Sequence, residues 1–209
     1  MKHFDLSLYL VLDPDLCQQH SMIETACEAV AGGVTMVQLR HKHASTDERI
    51  VLGRALMEAL RDTGAIVVMN DDVAAAIEAG VDALHIGQGD MTPALARARI
   101  GPEMILGLSV NSEGGARLVD PAIVDYAGVG PVFATPTKPD HEKPLGFKGL
   151  GQVVAACPVP TVAIGGLKKE HVQQVFAAGA HGVAVVSAIC GMPDPRQAAR
   201  DLRERIPSR

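Results

Sequence analysis

Two carboxylates set the chemistry this sequence could carry. Asp71 and Asp90 each follow a short apolar run, Ala65–Asn70 and Ala83–Gln88. One acid of the Asp71-Asp72 pair suffices to cap the helical pattern behind it. Asp90 has no such task, because Thr92-Pro93 already gives the next helix a cap residue and a first-turn proline. Two protein carboxylates, with phosphate oxygens and water completing the shell, suit Mg²⁺ better than Zn²⁺ or Ca²⁺. Asp71 and Asp90 are therefore the expected metal ligands.

Cations lie close by. Arg40 and Lys42 alternate along a segment that reads as extended, so both project to one side. Arginine offers phosphate a bidentate fork and lysine a point charge; a solvated strand end is the plainer alternative. A loop of about a dozen residues, Ala134–Leu145, carries Lys138 and three prolines, and loops of that length are usually functional or disordered. Its prolines stiffen it, as a lid over an anionic ligand requires. Gly165-Gly166 and Val186-Ser187 close two further apolar runs. There glycine lets backbone N–H groups meet a phosphate, or simply makes a left-handed turn. His41 and His43 have the spacing of a zinc pair but lack a third ligand, and His85 reads as a satisfied histidine within a strand. No histidine or glutamate stands out as a general base. Two anion stations without a base suggest the joining of two phosphorylated molecules by stabilising a leaving diphosphate.

The elements that must position these residues alternate along the whole chain. Strand-like runs cover Leu8–Asp13, Thr35–Arg40, Ala65–Asn70, Ala83–Gln88, Met104–Val110, Tyr126–Phe133, Thr161–Gly165 and Gly182–Ala188. Helical patterns follow each: Ser21–Gly32, Thr46–Thr63, Val73–Ala79, one opening at Thr92-Pro93, then Ser112–Val119, Gly149–Ala156, Lys168–Ala178 and Pro195–Arg205. Strict alternation means a parallel sheet, and eight units close a TIM barrel, a (β/α)8 fold of the α/β class. An open doubly wound sheet is the rival, but Asp13-Pro14-Asp15 stands where its Gly-rich turn belongs. In a barrel the active site gathers at the carboxyl ends of the strands, and nearly every strand here delivers polar or glycine residues to that rim.

Composition agrees with one barrel domain over residues 1–209, since no linker divides the chain. Apolar residues make up 47% and aromatics 3%, so the core must be aliphatic, as buried parallel sheets require. A net charge of −5 argues against nucleic acid or a membrane surface as partner. The run Leu6–Leu12 is too short to span a membrane. Cys17, Cys27, Cys157 and Cys190 have neither CxxC nor metal spacing and read as reduced thiols of a cytoplasmic protein. A homo-oligomer is compatible with the sequence.

The strand-end motifs together resemble the thiamine-phosphate synthase family. They are Gly33-Val34-Thr35-Met36-Val37-Gln38-Leu39-Arg40 with Lys42, Asn70-Asp71, Gly87-Gln88 with Asp90, and Ser109. Gly128-Val129-Gly130-Pro131-Val132-Phe133 with Thr135-Pro136-Thr137-Lys138, Ala163-Ile164-Gly165-Gly166 and Gly182 to Ser187 complete the set. The resemblance implies a transferase joining hydroxymethylpyrimidine diphosphate to a thiazole phosphate, giving thiamine phosphate and pyrophosphate. In that family diphosphate departs first and the thiazole nitrogen captures a pyrimidine carbocation. It further implies that Gln38, Leu39, Arg40, His41, Lys42, Asn70, Ser109 and Lys138 hold the pyrimidine diphosphate, with Arg40, Lys42, Ser109 and Lys138 catalytic. Thr135, Pro136, Thr137, Gly166, Val186 and Ser187 would hold the thiazole phosphate, and Asp71 and Asp90 the Mg²⁺. His41 stands where an acid is common in the family, and Asn111-Ser112 and His141-Glu142-Lys143 are atypical. The alternatives are a thiazole tautomerase-like isomerase on the same barrel, which needs an acid–base residue, and a Schiff-base aldolase using Lys138, which needs a dry pocket.

Overall fold

A computed structural model describes residues 4–135 and 143–207. Its strands are β1 (Leu8–Leu12), β2 (Met36–Leu39), β3 (Ile66–Asn70), β4 (Ala83–Ile86), β5 (Ile105–Val110), β6 (Tyr126–Val129), β7 (Thr161–Ala163) and β8 (Gly182–Val185). Each pairs in parallel with the next, and β8 returns to β1, closing the barrel. The helices are α1 (Met22–Ala31), α2 (Thr46–Ala59), α3 (Val73–Ala79), α4 (Pro93–Ile100), α5 (Glu113–Arg117), α6 (Gly146–Ala156), α7 (Val172–Ala177) and α8 (Pro195–Arg203). Among the described residues no helix is long and apolar enough to cross a membrane.

Strand alternation divides the core in two. Leu8, Leu10 and Leu12 of β1 join Val37, Leu39 and Leu84 in the layer between sheet and helices. Tyr9, Val11, Met36, Val68 and Tyr126 fill the barrel interior. Burial on both faces explains the unbroken apolar runs. Ser21 and Ser45 start α1 and α2 with reciprocal capping boxes to Glu24 and Glu48.

Several expected boundaries move. The sixth strand was expected to reach Phe133, but pairing as β6 ends at Val129. Pro131 has no N–H to give, and beyond it Val132 and Phe133 donate singly to the Ile164 and Gly165 carbonyls. Leu145 and Gly146 return to the Pro131 and Val132 carbonyls, so the two ends of the 134–145 loop are tied together. The helix behind it begins at Gly146, not Gly149, and α2 stops at Ala59 rather than Thr63.

Candidate active site

The strands end in a cavity of about 520 Å³. Arg40 and Lys42 enter it from behind β2, Asn70 and Asp71 from β3, Gln88 and Asp90 from behind β4, and Ser109 from β5. Thr135 stands across from them, with Gly165, Gly166, Val186 and Ser187 completing the wall. Most of the predicted site residues thus share one cavity. Two stand apart: the Leu39 side chain packs into the helix layer, and His41 is absent from the cavity wall, its buried Nδ1 without a hydrogen-bond partner among the described residues. Pro136, Thr137 and Lys138 lie outside the described residues.

Asp71 and Asp72 divide their tasks by backbone geometry. Asp72 caps α3, its Oδ1 accepting from the Ala75 amide at 2.9 Å. Its Oδ2 holds Arg49 at 3.0 Å and Thr46 at 2.9 Å. Asp71 takes a left-handed φ of 61°, sparsely populated outside glycine, and turns its carboxylate into the cavity. Asn70 Nδ2 donates to that carboxylate at 2.6 Å. Loss of water around the group, then the hydrogen bond and charge of Asp90, push the Asp71 carboxyl up to about 6. Two neighbouring carboxylates form an all-oxygen pair of the kind a hard divalent cation neutralises. Among the described residues no third acid, histidine or cysteine joins them.

Asp90 was expected to have no structural task, and here the structure corrects the sequence reading. Its Oδ2 accepts the Gly87 amide at 2.8 Å, closing the turn after β4, while Thr92 makes no side-chain cap bond. A Cβ on residue 87 would lie 2.7 Å from that oxygen and would push the carboxylate out of this position. Arg40 is anchored by an acid that the sequence reading did not pair with it. Its Nη1 meets the Asp13 carboxylate at 3.2 Å, behind β1. Lys42 stands in a turn, since β2 stops at Leu39, yet it reaches the same cavity as Arg40. Gly165 and Gly166 have φ of 102° and 64°, and a Cβ on either would strike the Pro131–Ala134 segment, so close packing alone accounts for both.

Sequence reasoning missed Asp13, Tyr9 and Tyr126. The tyrosines had one legible signal: they are the only two in a chain without tryptophan, and both fall within strands.

A family model described as thiamine monophosphate synthase matches residues 8–189. The thiamine-phosphate synthase of Psychrobacter sp. (strain PRwf-1) is 46% identical over 200 residues, covering 94% of this chain and 93% of that protein. That of Xanthobacter autotrophicus is 47% identical over 205 residues, with 98% and 97% covered. A solved structure, thiamine phosphate pyrophosphorylase from Pyrococcus furiosus, superposes with a TM-score of 0.87 at 34% identity, covering 96% of this chain and 95% of that one.

Proposed function

The chain belongs to the thiamine monophosphate synthase family, a family of transferases, and from that premise we propose that it couples hydroxymethylpyrimidine diphosphate to a thiazole phosphate with release of pyrophosphate. The observation that carries this reading is the facing pair Asp71–Asp90 in one cavity with Arg40 and Lys42. Two carboxylates held side by side repel each other, and a divalent cation between them would relieve that repulsion. Asp71 and Asp90 are the residues that would hold Mg²⁺, whose charge would stabilise the departing diphosphate.

The chain's own groups do the remaining work. Arg40, fixed by Asp13, presents its guanidinium to the diphosphate without first having to be ordered, and Lys42 adds a second positive charge. Gln38, Asn70 and Ser109 lie where a pyrimidine ring attached to that diphosphate would rest. Thr135, Gly166, Val186 and Ser187 stand across the cavity, where a second phosphate would be held away from the first. Lys138, which lies outside the described residues, completes the proposed set. A tertiary ring nitrogen attacking carbon has no proton to lose, so the coupling step needs no general base.

The test is to mix the two phosphorylated heterocycles with protein and Mg²⁺. Pyrophosphate and thiamine phosphate should form in equal amounts, and EDTA should abolish both. Turnover that survives exhaustive chelation would defeat the metal assignment, and no product under any metal would defeat the coupling reaction itself.

A further inference from the structure

Beneath the charged rim, the cavity floor is one chain of five hydrogen-bonded side chains. Gln38 Nε2 donates to the Tyr9 hydroxyl at 2.7 Å, and the two tyrosine oxygens are 2.9 Å apart. Tyr126 meets His85 Nδ1 at 3.0 Å, and His85 Nε2 meets Ser109 Oγ at 3.0 Å. Both tyrosines are wholly buried, and burial raises both phenols well above their usual range, so each keeps its one proton.

Counting protons gives the chain a direction. The Tyr9 oxygen already accepts from Gln38, so its proton must go to Tyr126 or be left without a partner in the barrel interior. The Tyr126 proton then goes to His85 Nδ1. His85 therefore carries its proton on Nε2 and donates it to Ser109. The Ser109 proton is left to point into the cavity, and at the other end Gln38 keeps its carbonyl Oε1 to accept. A reversed chain would present the opposite pair, a donor at Gln38 and an acceptor at Ser109.

The backbone is cut to hold these rings. Gly107 lies in register between His85 and Tyr126, and a Cβ there would sit 2.2 Å from the Tyr126 ring. A Cβ at Gly128 would lie 3.0 Å from the His85 ring.

We propose that Tyr9, Tyr126 and His85 are positioning residues that hold Gln38 as an acceptor and Ser109 as a donor, and so select a pyrimidine bearing an amino group over its oxo counterpart. The amino group would donate to Gln38 and a ring nitrogen accept from Ser109; an oxo ring, with a carbonyl and a ring N–H, opposes both. The selection of substrate rests on the transferase reading above, whereas the order of protons does not.

The experiment therefore reads the two separately. Long-range ¹⁵N–¹H correlation on the wild-type protein, with the His85 signal identified by its loss in His85→Gln, should show the proton on Nε2. A proton on Nδ1, or on both nitrogens, overturns the proposal. In Tyr126→Phe, KM for the aminopyrimidine diphosphate should rise about three- to tenfold, the range for one lost hydrogen bond. KM for the thiazole phosphate should stay unchanged, and discrimination against the oxo analogue should fall. Equal change in both KM values, or no change in either, overturns it. If the variant does not fold, the wild-type tautomer decides. An Nε2 proton in a protein that couples nothing would sink the transferase reading and leave the floor's polarity standing.

Discussion

The two ends of the barrel use aspartate in opposite ways. At the amino end, Asp82 and Asp125 accept the Val67 and Leu106 amides, each at 2.8 Å, and Asp125 also holds Arg97 at 2.6 Å. Arg97 also donates to the carbonyls of Ile123, Gly101 and Met104. These groups are spent on structure. At the carboxyl end, Asp71 and Asp90 face each other, and Asp71 sits in a backbone conformation that side chains rarely adopt. At the amino end the fold pairs Asp82 and Asp125 with amides and an arginine, while at the carboxyl end it leaves two acids beside each other in the cavity, which is where barrels keep their chemistry.

Substitutions should separate the two ends. The largest effect belongs to the rim. Asp71→Asn should lower kcat/KM roughly 10³-fold, the scale of a lost electrostatic contact to a leaving group. Its melting temperature should stay level or rise, because one of two repelling charges has gone. Steady-state pyrophosphate release and calorimetry on the same preparation would check both. Arg97→Ala should do the reverse. Denaturant unfolding should show a loss of about 3 kcal/mol, from unpaired carbonyls and a half-buried Asp125. The KM values of its folded fraction should remain those of the wild type.

Gly107→Ala is the intermediate case. It should cost about 1–3 kcal/mol in unfolding free energy, because the Tyr126 ring must shift to admit a methyl group. Activity should fall with it, since that ring belongs to the floor. The smallest effect lies far from either end. The Ser21 and Ser45 amides hold Glu24 and Glu48 below the usual carboxylate range. Carboxylates with lowered folded values stabilise above their ordinary value of about 4.3 and lose that contribution as pH falls through the folded value. Glu24→Gln with Glu48→Gln should therefore be slightly less stable at neutral pH and show a shallower loss of stability below about pH 4.3. Thermal melts from pH 7 to pH 3 would show it.

The barrel was legible because each strand is an uninterrupted apolar run closed by a polar or glycine residue, as in Leu8–Leu12 and Tyr126–Val129. Its finer boundaries were not, since the end of β6 depends on which N–H groups find partners around Pro131. The rim was legible for the same reason as the strands, because the residue after a strand must face the cavity mouth. The tasks of single rim residues escaped. Asp90 closes a turn through the Gly87 amide, a contact with no sequence signature of its own. The connections of the floor were illegible, although Gln38 and Ser109 were named and the two tyrosines stood out by their rarity. Tyr9 and Tyr126 are 117 positions apart and Tyr126 and His85 are 41 apart, so nothing local ties them.

The central claim, that the carboxyl-end acids are kept for a metal-bound diphosphate, has a direct test. Crystals soaked with Mn²⁺ and pyrophosphate should show one strong anomalous peak liganded by both Asp71 and Asp90 and by pyrophosphate oxygens, with Arg40 against the same anion. Pyrophosphate bound elsewhere, or a peak that neither Asp71 nor Asp90 ligates, would contradict it.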